Sequence, residues 1–533
     1  MNGMEHYLDI FRVTDRQLQT LTATALAHGG DFSDLYFEHT TFFNLLLKDG
    51  EVSSGGFHTD YGVGIRVLKG EKTGYAYSES TEMKDMLKAA EAASSIADGA
   101  YGSRTYAAVE DRRSDLYPMK ANWRDIDASA LLPFLKDLEQ AVLAKDSRII
   151  KVVARLSDSI SDILMYNSLG EMTYDTRPMG SVTVSAVFSK DGRTENRTAS
   201  RSFRTGAELI GPALIAELAD EVVRDIDARF EARRPKGGRM NVVMGAGASG
   251  ILLHEAMGHT FEADFNRKGQ SVFSDRMGQQ ICPKEVTVVD DGTVPFNRGS
   301  GNYDDEGVPS EKTYMVKDGI LTSYLHDRIS AGWYGVKPTG NGRRENFRYN
   351  PIPRMRATYM ENGYTDPSDI LAQVRQGVYV DEFSNGQVKI GEGDFTFFVK
   401  SGYLIENGRL TMLAYKLRLK PFRKLSEKYA TKAMINALEK YDVNMITHPM
   451  SNYRVDLKKV AEVCERRGTI LEVNNSRCKL SLEELSSIKD MNIKIAAGSD
   501  AHRTVRVGHC EDALEIIEKS GIDISKVVNV EKV

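Results

Sequence analysis

The stretch NVVMGAGASGILLHEAMGHTFEADF, residues 241–265, carries two motifs with different chemistries. Gly245, Gly247 and Gly250 spell GxGxxG after a short apolar run, the pattern of a phosphate cradle. His254, Glu255 and His259 spell HExxxH. Imidazole nitrogens bind zinc well, and a Glu beside them is the usual base for activating water. A dinucleotide site needs a βαβ unit whose second strand ends in an acidic residue about 20 residues on. The chain instead continues FNRKGQSVFSDRMGQQI, which is no buried strand, so the metal reading is favoured. Its spacing is i, i+5, and on an ideal helix those positions lie about 140° apart. Both rings reach one metal only if the helix is distorted. A one-residue π-bulge would do this, and Gly258 is the residue most tolerant of it. The bland alternative is two unrelated histidines on opposite faces of a buried helix.

The elements that must hold this motif divide the chain by style. Residues 1–235 mix β-rich runs with amphipathic helices, an α+β domain. DLYFEHTTFFNLLLKDGEVSSG and YGVGIRVLKGEKTGYAYS alternate and turn at Asp-Gly and Lys-Gly, as antiparallel hairpins do. STEMKDMLKAAEAASSIADGA, ASALLPFLKDLEQAVLAK and GPALIAELADEVVRDIDARF have helical spacing, and 148–203 reads as several strands. ARRPKGG at 232–238 is a polar linker. Residues 236–417 form a second, strand-rich domain with many short turns. After a basic, Pro-bearing junction at 418–430, residues 431–533 alternate helix and strand, the grammar of parallel βα units.

Bulk properties exclude several function classes. With 41% apolar and 27% charged residues over 533 positions, the chain is an ordinary globular one. A net charge of -5 gives no reason to expect nucleic acid. No apolar run approaches the roughly 20 residues that span a bilayer, so no membrane is expected. The N-terminus has no basic patch or apolar core of a secretory signal. Four scattered cysteines without CxxC spacing argue against a disulfide framework, and a cytoplasmic location is the expectation.

Residues 31–411 resemble the TldD/PmbA family of metalloproteases, in its TldD-like, HExxxH-bearing branch. The resemblance lies in DLYFEH, GVGIRVLKGEKTGYAY, ASGILLHEAMGHTFEADFNRKG, VTVVDDGT, DDEGVPS and PTGNGRREN, in the family's order. It implies zinc held by His254 and His259, with Glu255 as the water-activating base. It also implies hydrolysis of unfolded or leader-type peptides beside a PmbA/TldE-like partner subunit, or as a homo-oligomer. The glycines before the motif would then form a tight turn feeding the helix. The family's third zinc ligand, a Cys in a CGKxGQ-type segment, has no counterpart. The second domain is thus expected to be C-terminally truncated and its peptidase activity impaired. Cys282 would have to be brought in by the fold to replace that ligand.

Residues 431–533 resemble the C-terminal part of a PHP-type metal-dependent phosphoesterase through THP (447–449), LEVNNS (471–476) and GSDAH (498–502). The resemblance implies an α/β partial (βα) barrel and metal ligands at His448, Asp500 and His502, for zinc or manganese. Each segment ends a predicted strand, the functional rim of a βα barrel. The runner-up function is therefore a metal-dependent phosphoesterase. A third reading is a non-catalytic subunit that holds peptide or partner.

Overall fold

The computed structural model describes residues 3–97, 99, 115–233, 237–414, 417–419, 427–450, 454–475, 480–499 and 508–529. Much of the predicted junction, together with Asp500 and His502, lies outside the described residues. The chain divides into two compact units, Met1–Pro421 and Phe422–Val533.

Helices α1 (Met4–Phe11) and α2 (Asp15–Ala25) open the chain. The Thr14 hydroxyl accepts from the Gln17 N–H, and the Gln17 side chain returns to the Thr14 N–H, a reciprocal cap that starts α2. Strands β1 (Phe32–Lys48), β2 (Glu51–Lys69) and β3 (Lys72–Ser78) follow, then α3 (Met83–Ser94) and α4 (Ala128–Leu143). Strands β4 (Ile149–Asn167), β5 (Met172–Lys190) and β6 (Arg193–Phe203) and helices α5 (Pro212–Val223) and α6 (Ile226–Glu231) complete this half. The expected single helix through 211–230 is broken where Asp225 takes φ 58. The strands form one antiparallel sheet in the order β3-β2-β1-β4-β5-β6.

These strands are long enough to carry two cores end to end on one face. Leu35 and Phe37 of β1 join Leu164 and Tyr166 of β4 beneath α1, α2 and α3. Further along, Leu45, Leu47, Val152, Ala154 and Leu156 pack under α4 and α5. The other face, with Tyr36, Ile163 and Met165, receives Tyr303 and Phe347 from the second half of the same unit. Gly62 and Gly64 of β2 make that approach feasible, since a Cβ at either would strike the chain at Phe347.

The second half comprises β7 (Asn241–Met244), α7 (Ala246–Leu253), α8 (Ala263–Arg267), β8 (Val288–Asp291), β9 (Lys312–Lys317), β10 (Ile320–Leu321), α9 (Arg328–Tyr334), β11 (Gly342–Arg343), β12 (Ile352–Pro353), β13 (Ala357–Met360), α10 (Pro367–Ala372), β14 (Gln376–Lys389), β15 (Asp394–Glu406), β16 (Arg409–Ala414) and β17 (Leu417–Leu419). One sheet runs β10-β9-β8-β13; another runs β16-β15-β14-β7, with β17 also on β15. Two-residue turns at Asp49-Gly50, Asp191-Gly192, Asp318-Gly319 and Asn407-Gly408 have positive φ at both positions, as the primed hairpin turns require.

A buried charge network joins the halves. Asp34 of β1 accepts from Arg66 Nε at 2.8 Å and from Arg344 Nη2 at 2.7 Å, and Arg66 also pairs with Glu306 at 2.7 Å. No helix among the described residues is long and apolar enough to cross a membrane.

In the smaller unit, α11 (Glu427–Lys440), β18 (Met445–Ile446), α12 (Leu457–Arg467), β19 (Ile470–Asn474), α13 (Leu482–Ser486), β20 (Ile495–Gly498) and α14 (Glu511–Lys519) alternate. The three strands pair parallel in the order β18-β19-β20, as the βα pattern predicts.

Candidate metal centre

Strand β7 lies parallel to β14, the Gly245 N–H donates to the Val380 carbonyl (2.8 Å), and the chain turns directly into α7. Only Gly245 stands at that turn. Gly247 and Gly250 lie within the helix, which corrects the expectation that all three build a turn. The parallel neighbour of β7 is β14, which begins only at Gln376 and not directly after α7, so the described residues form no dinucleotide βαβ unit at this turn.

Helix α7 does not continue regularly through the motif. His254–Gly258 form one π-helical turn, closed by the His259 N–H donating to the His254 carbonyl, and His259–Phe261 tighten into a 3₁₀ turn. An i→i+5 turn returns the fifth residue to the starting face. The rings of His254 and His259 accordingly lie 4.9 Å apart, nearly perpendicular at 80°. The distortion expected from the spacing is present, and it falls at Gly258. A Cβ at Gly258 would overlap the Met355 thioether sulfur, so the buried Met355 occupies the space a side chain would need. The Thr260 hydroxyl donates to the carbonyls of Ala256 and Met257 (3.1 and 2.7 Å), satisfying groups that a regular helix would have paired.

Ligand-type atoms of His254, Glu255 and His259 all lie within 4.8 Å of one another. His259 is oriented from behind. Its Nδ1 stands 3.2 Å from both oxygens of Glu262, a wholly buried carboxylate that also accepts from Arg354 Nη1 at 2.7 Å. That bond assigns the proton to Nδ1 and leaves Nε2 as the nitrogen available to a metal, the usual support for a metal-binding imidazole. The Glu262 bond raises the His259 pKa. Partial burial of its ring, then the nearby His259, lowers that of His254 and favours its neutral, ligating form.

Cys282 is half-buried beside the core formed by Leu253, Phe261 and Val288, and is not one of the grouped ligands. Burial pushes its thiol pKa up, away from the thiolate a metal needs. In the smaller unit His448 follows β18, and its backbone N–H donates to Glu472 Oε2 at 2.8 Å, with the ring Nδ1 at 3.7 Å from that oxygen. Glu262 and Arg354 were not singled out from sequence. Glu262, one turn beyond His259, could have been found by asking what orients the second imidazole. Arg354 could not, being 92 residues away from Glu262.

Two imidazoles and a glutamate gathered on a distorted helix, with a carboxylate behind one ring, define a candidate metallohydrolase centre. Comparison with known proteins gives the family. Models of the PmbA/TldA metallopeptidase match as domain 1 over residues 33–97, central domain over 121–229 and C-terminal domain over 237–420. A metalloprotease TldD homolog of Haemophilus influenzae is 37% identical over 392 residues, covering 72% of this chain and 80% of that protein. A TldD homolog of Buchnera aphidicola is 33% identical, covering 72% and 81%. Among solved structures, TldE of Thermococcus kodakarensis superposes with a TM-score of 0.62 at 18% identity, covering 75% of this chain and 90% of that one. A putative modulator of DNA gyrase from Thermotoga maritima gives 0.64 at 21%, covering 76% and 91%. The chain belongs to the TldD/PmbA metallopeptidase family and is a metallopeptidase with the TldD/TldE-like fold.

Proposed function

We propose that the chain is a zinc peptidase of TldD type acting on unfolded or leader-type peptides, with His254 and His259 as metal ligands and Glu255 as general base. The observation that carries this reading is the π turn, which brings both rings beside Glu255. Zinc, when bound, supplies Lewis acidity toward water and the scissile carbonyl. Glu255 stands within 4.8 Å of both ring nitrogens, near enough to accept a proton from a water between them and return it to the leaving amine. Glu262 and Arg354 hold His259 in one tautomer throughout. Hydrolytic zinc sites take three protein ligands. With no CGKxGQ-type segment and Cys282 outside the group, zinc binding by this chain alone is expected to be weak and turnover low. A TldE-like partner or second copy, in the cytoplasm, belongs to this reading.

The parallel strands of the smaller unit favour a second reading, a PHP-type phosphoesterase fragment with His448, Asp500 and His502 around zinc or manganese. Metal content separates the two. Zinc lost on His254→Ala supports the peptidase; metal lost only on Asp500→Ala supports the phosphoesterase. Metal retained by neither the wild type nor the variants leaves a peptide-binding subunit without catalysis. Hydrolysis of an unstructured peptide, abolished by Glu255→Gln, completes the test of the first reading.

A further inference from the structure

Around Met355, the residue packed against Gly258 of the π turn, the protein carries guanidinium groups that no carboxylate of the described residues pairs. Arg177, Arg204, Arg343 and Arg356 converge there from β5, the segment after β6, β11 and the segment before β13. Arg177 is matched, by Asp175 at 2.9 Å and Asp305 at 2.5 Å. The other three form no ion pair among the described residues. Arg343 donates Nη1 to the Met355 carbonyl at 2.7 Å. Arg356 donates to the carbonyls of Gly340 (3.1 Å) and Tyr303 (3.3 Å). Arg204 reaches the Arg298 carbonyl at 3.4 Å and lies 5.4 Å over the Tyr117 ring, while its Nε is buried without a partner.

The nearest other carboxylates do not restore the balance. Asp290 and Asp304 are occupied by backbone N–H groups of Arg356, Gly342, Glu306 and Val308. Burial raises the pKa of both, that of Asp304 to about 7. Burial, with the neighbouring arginines adding to it, pulls Arg343 down to about 10 and lowers Arg204. Like charges withdrawn from water without partners are costly, and guanidinium is the group best shaped to receive a carboxylate in two bonds. Each of the three residues is partly exposed.

The position ties the cluster to the motif. Met355, whose carbonyl holds Arg343, packs against Gly258 of the π turn. Arg356 follows Met355 directly, and its N–H donates to Asp290 at 2.8 Å. We propose that Arg204, Arg343 and Arg356 form a carboxylate-binding subsite for the peptide substrate beside the metal centre. The proposal rests on the peptidase reading above.

The test is fluorescence anisotropy with a short labelled, unstructured peptide in three forms. The first has a free terminal carboxylate, the second a terminal carboxamide and no acidic residue, and the third a carboxamide with one internal Glu. The full chain is expected to bind at least one acidic form about tenfold more tightly than the neutral one. Whichever acidic form is preferred tells whether the subsite takes the terminus or a side chain. Arg343→Gln and Arg204→Gln should erase the preference without lowering the melting temperature, since each removes repulsion. Arg201→Gln, which breaks pairs with Glu217 and Glu221 elsewhere, should retain it. Equal binding of all three peptides by the wild type overturns the subsite and leaves the peptidase reading standing. A preference that survives both arginine substitutions also overturns it. Binding of no peptide overturns both.

Discussion

Gly258→Ala is expected to destabilise the larger unit, although the same change in a regular exposed helix would stabilise by up to about 1 kcal/mol. The added Cβ would overlap the Met355 sulfur and lie 2.9 Å from its Cε and 3.3 Å from its Cγ. Overpacking a core costs about 1–3 kcal/mol. A thioether can turn aside more readily than a branched chain, so the lower part of that range, about 1–2 kcal/mol, is expected. Met355→Ala alone should cost about 2–4 kcal/mol, because the side chain is 4% exposed within the core of Leu253, Phe261 and Leu325. In the double variant the new methyl occupies part of the vacated space. Its cost should fall about 1–2 kcal/mol short of the sum of the single costs. Calorimetric melting of the full chain, following the transition of the Met1–Pro421 unit, reads all four corners of the cycle. Zinc titration of the same proteins should show Gly258→Ala weakened and the double variant partly restored. A Gly258→Ala protein as stable as the wild type, or strictly additive costs, would refute the argument that Met355 and the missing side chain shape the turn.

Glu262→Gln should weaken zinc binding about 10–100-fold by loosening the His259 ring; calorimetric zinc titration checks this, and unchanged affinity counts against the orienting role. Asp34→Asn should cost about 3–5 kcal/mol, since it leaves the buried Arg344 guanidinium without its carboxylate and Arg66 with Glu306 alone; an unaltered melting transition would mean that the network contributes nothing between the halves. Burial pushes the Asp158 carboxyl up to about 7. An unfolded carboxyl titrates near 4, so between about pH 4 and 7 the unfolded chain gives up a proton that the folded chain keeps. Stability therefore falls as pH rises through that window. Asp158→Asn should raise the melting temperature by about 2–4 °C at pH 8, after discounting for partial exposure, and change it little at pH 4.5. A gain of equal size at both pH values would assign it to something other than ionisation.

The sequence by itself determined what depends on neighbours along the chain. Asp-Gly and Asn-Gly pairs specify two-residue turns because few other residues tolerate positive φ at both positions, and those turns close where the alternation predicts. The i, i+5 spacing with Gly258 before the second His called for a distortion such as a π turn if both rings were to share one metal, and left open a regular helix with the rings apart; the chain takes the π turn. The parallel order of β18, β19 and β20 likewise follows from alternating helix and strand patterns. What the sequence left open is what depends on partners far along the chain. The capping box at Thr14 was local but carried no chemistry to draw notice, and the break at Asp225 interrupts a pattern that is helical on both sides. Glu262 gains its role only when Arg354 arrives from beyond β12 to hold it. Arg204 joins Arg343 and Arg356, more than a hundred residues further on, in one cluster without carboxylate partners among the described residues only once the chain has folded. Local motifs fix backbone geometry through short-range sterics and hydrogen bonds, whereas burial and charge balance are sums over everything nearby in space, and only the tertiary structure decides which groups those are.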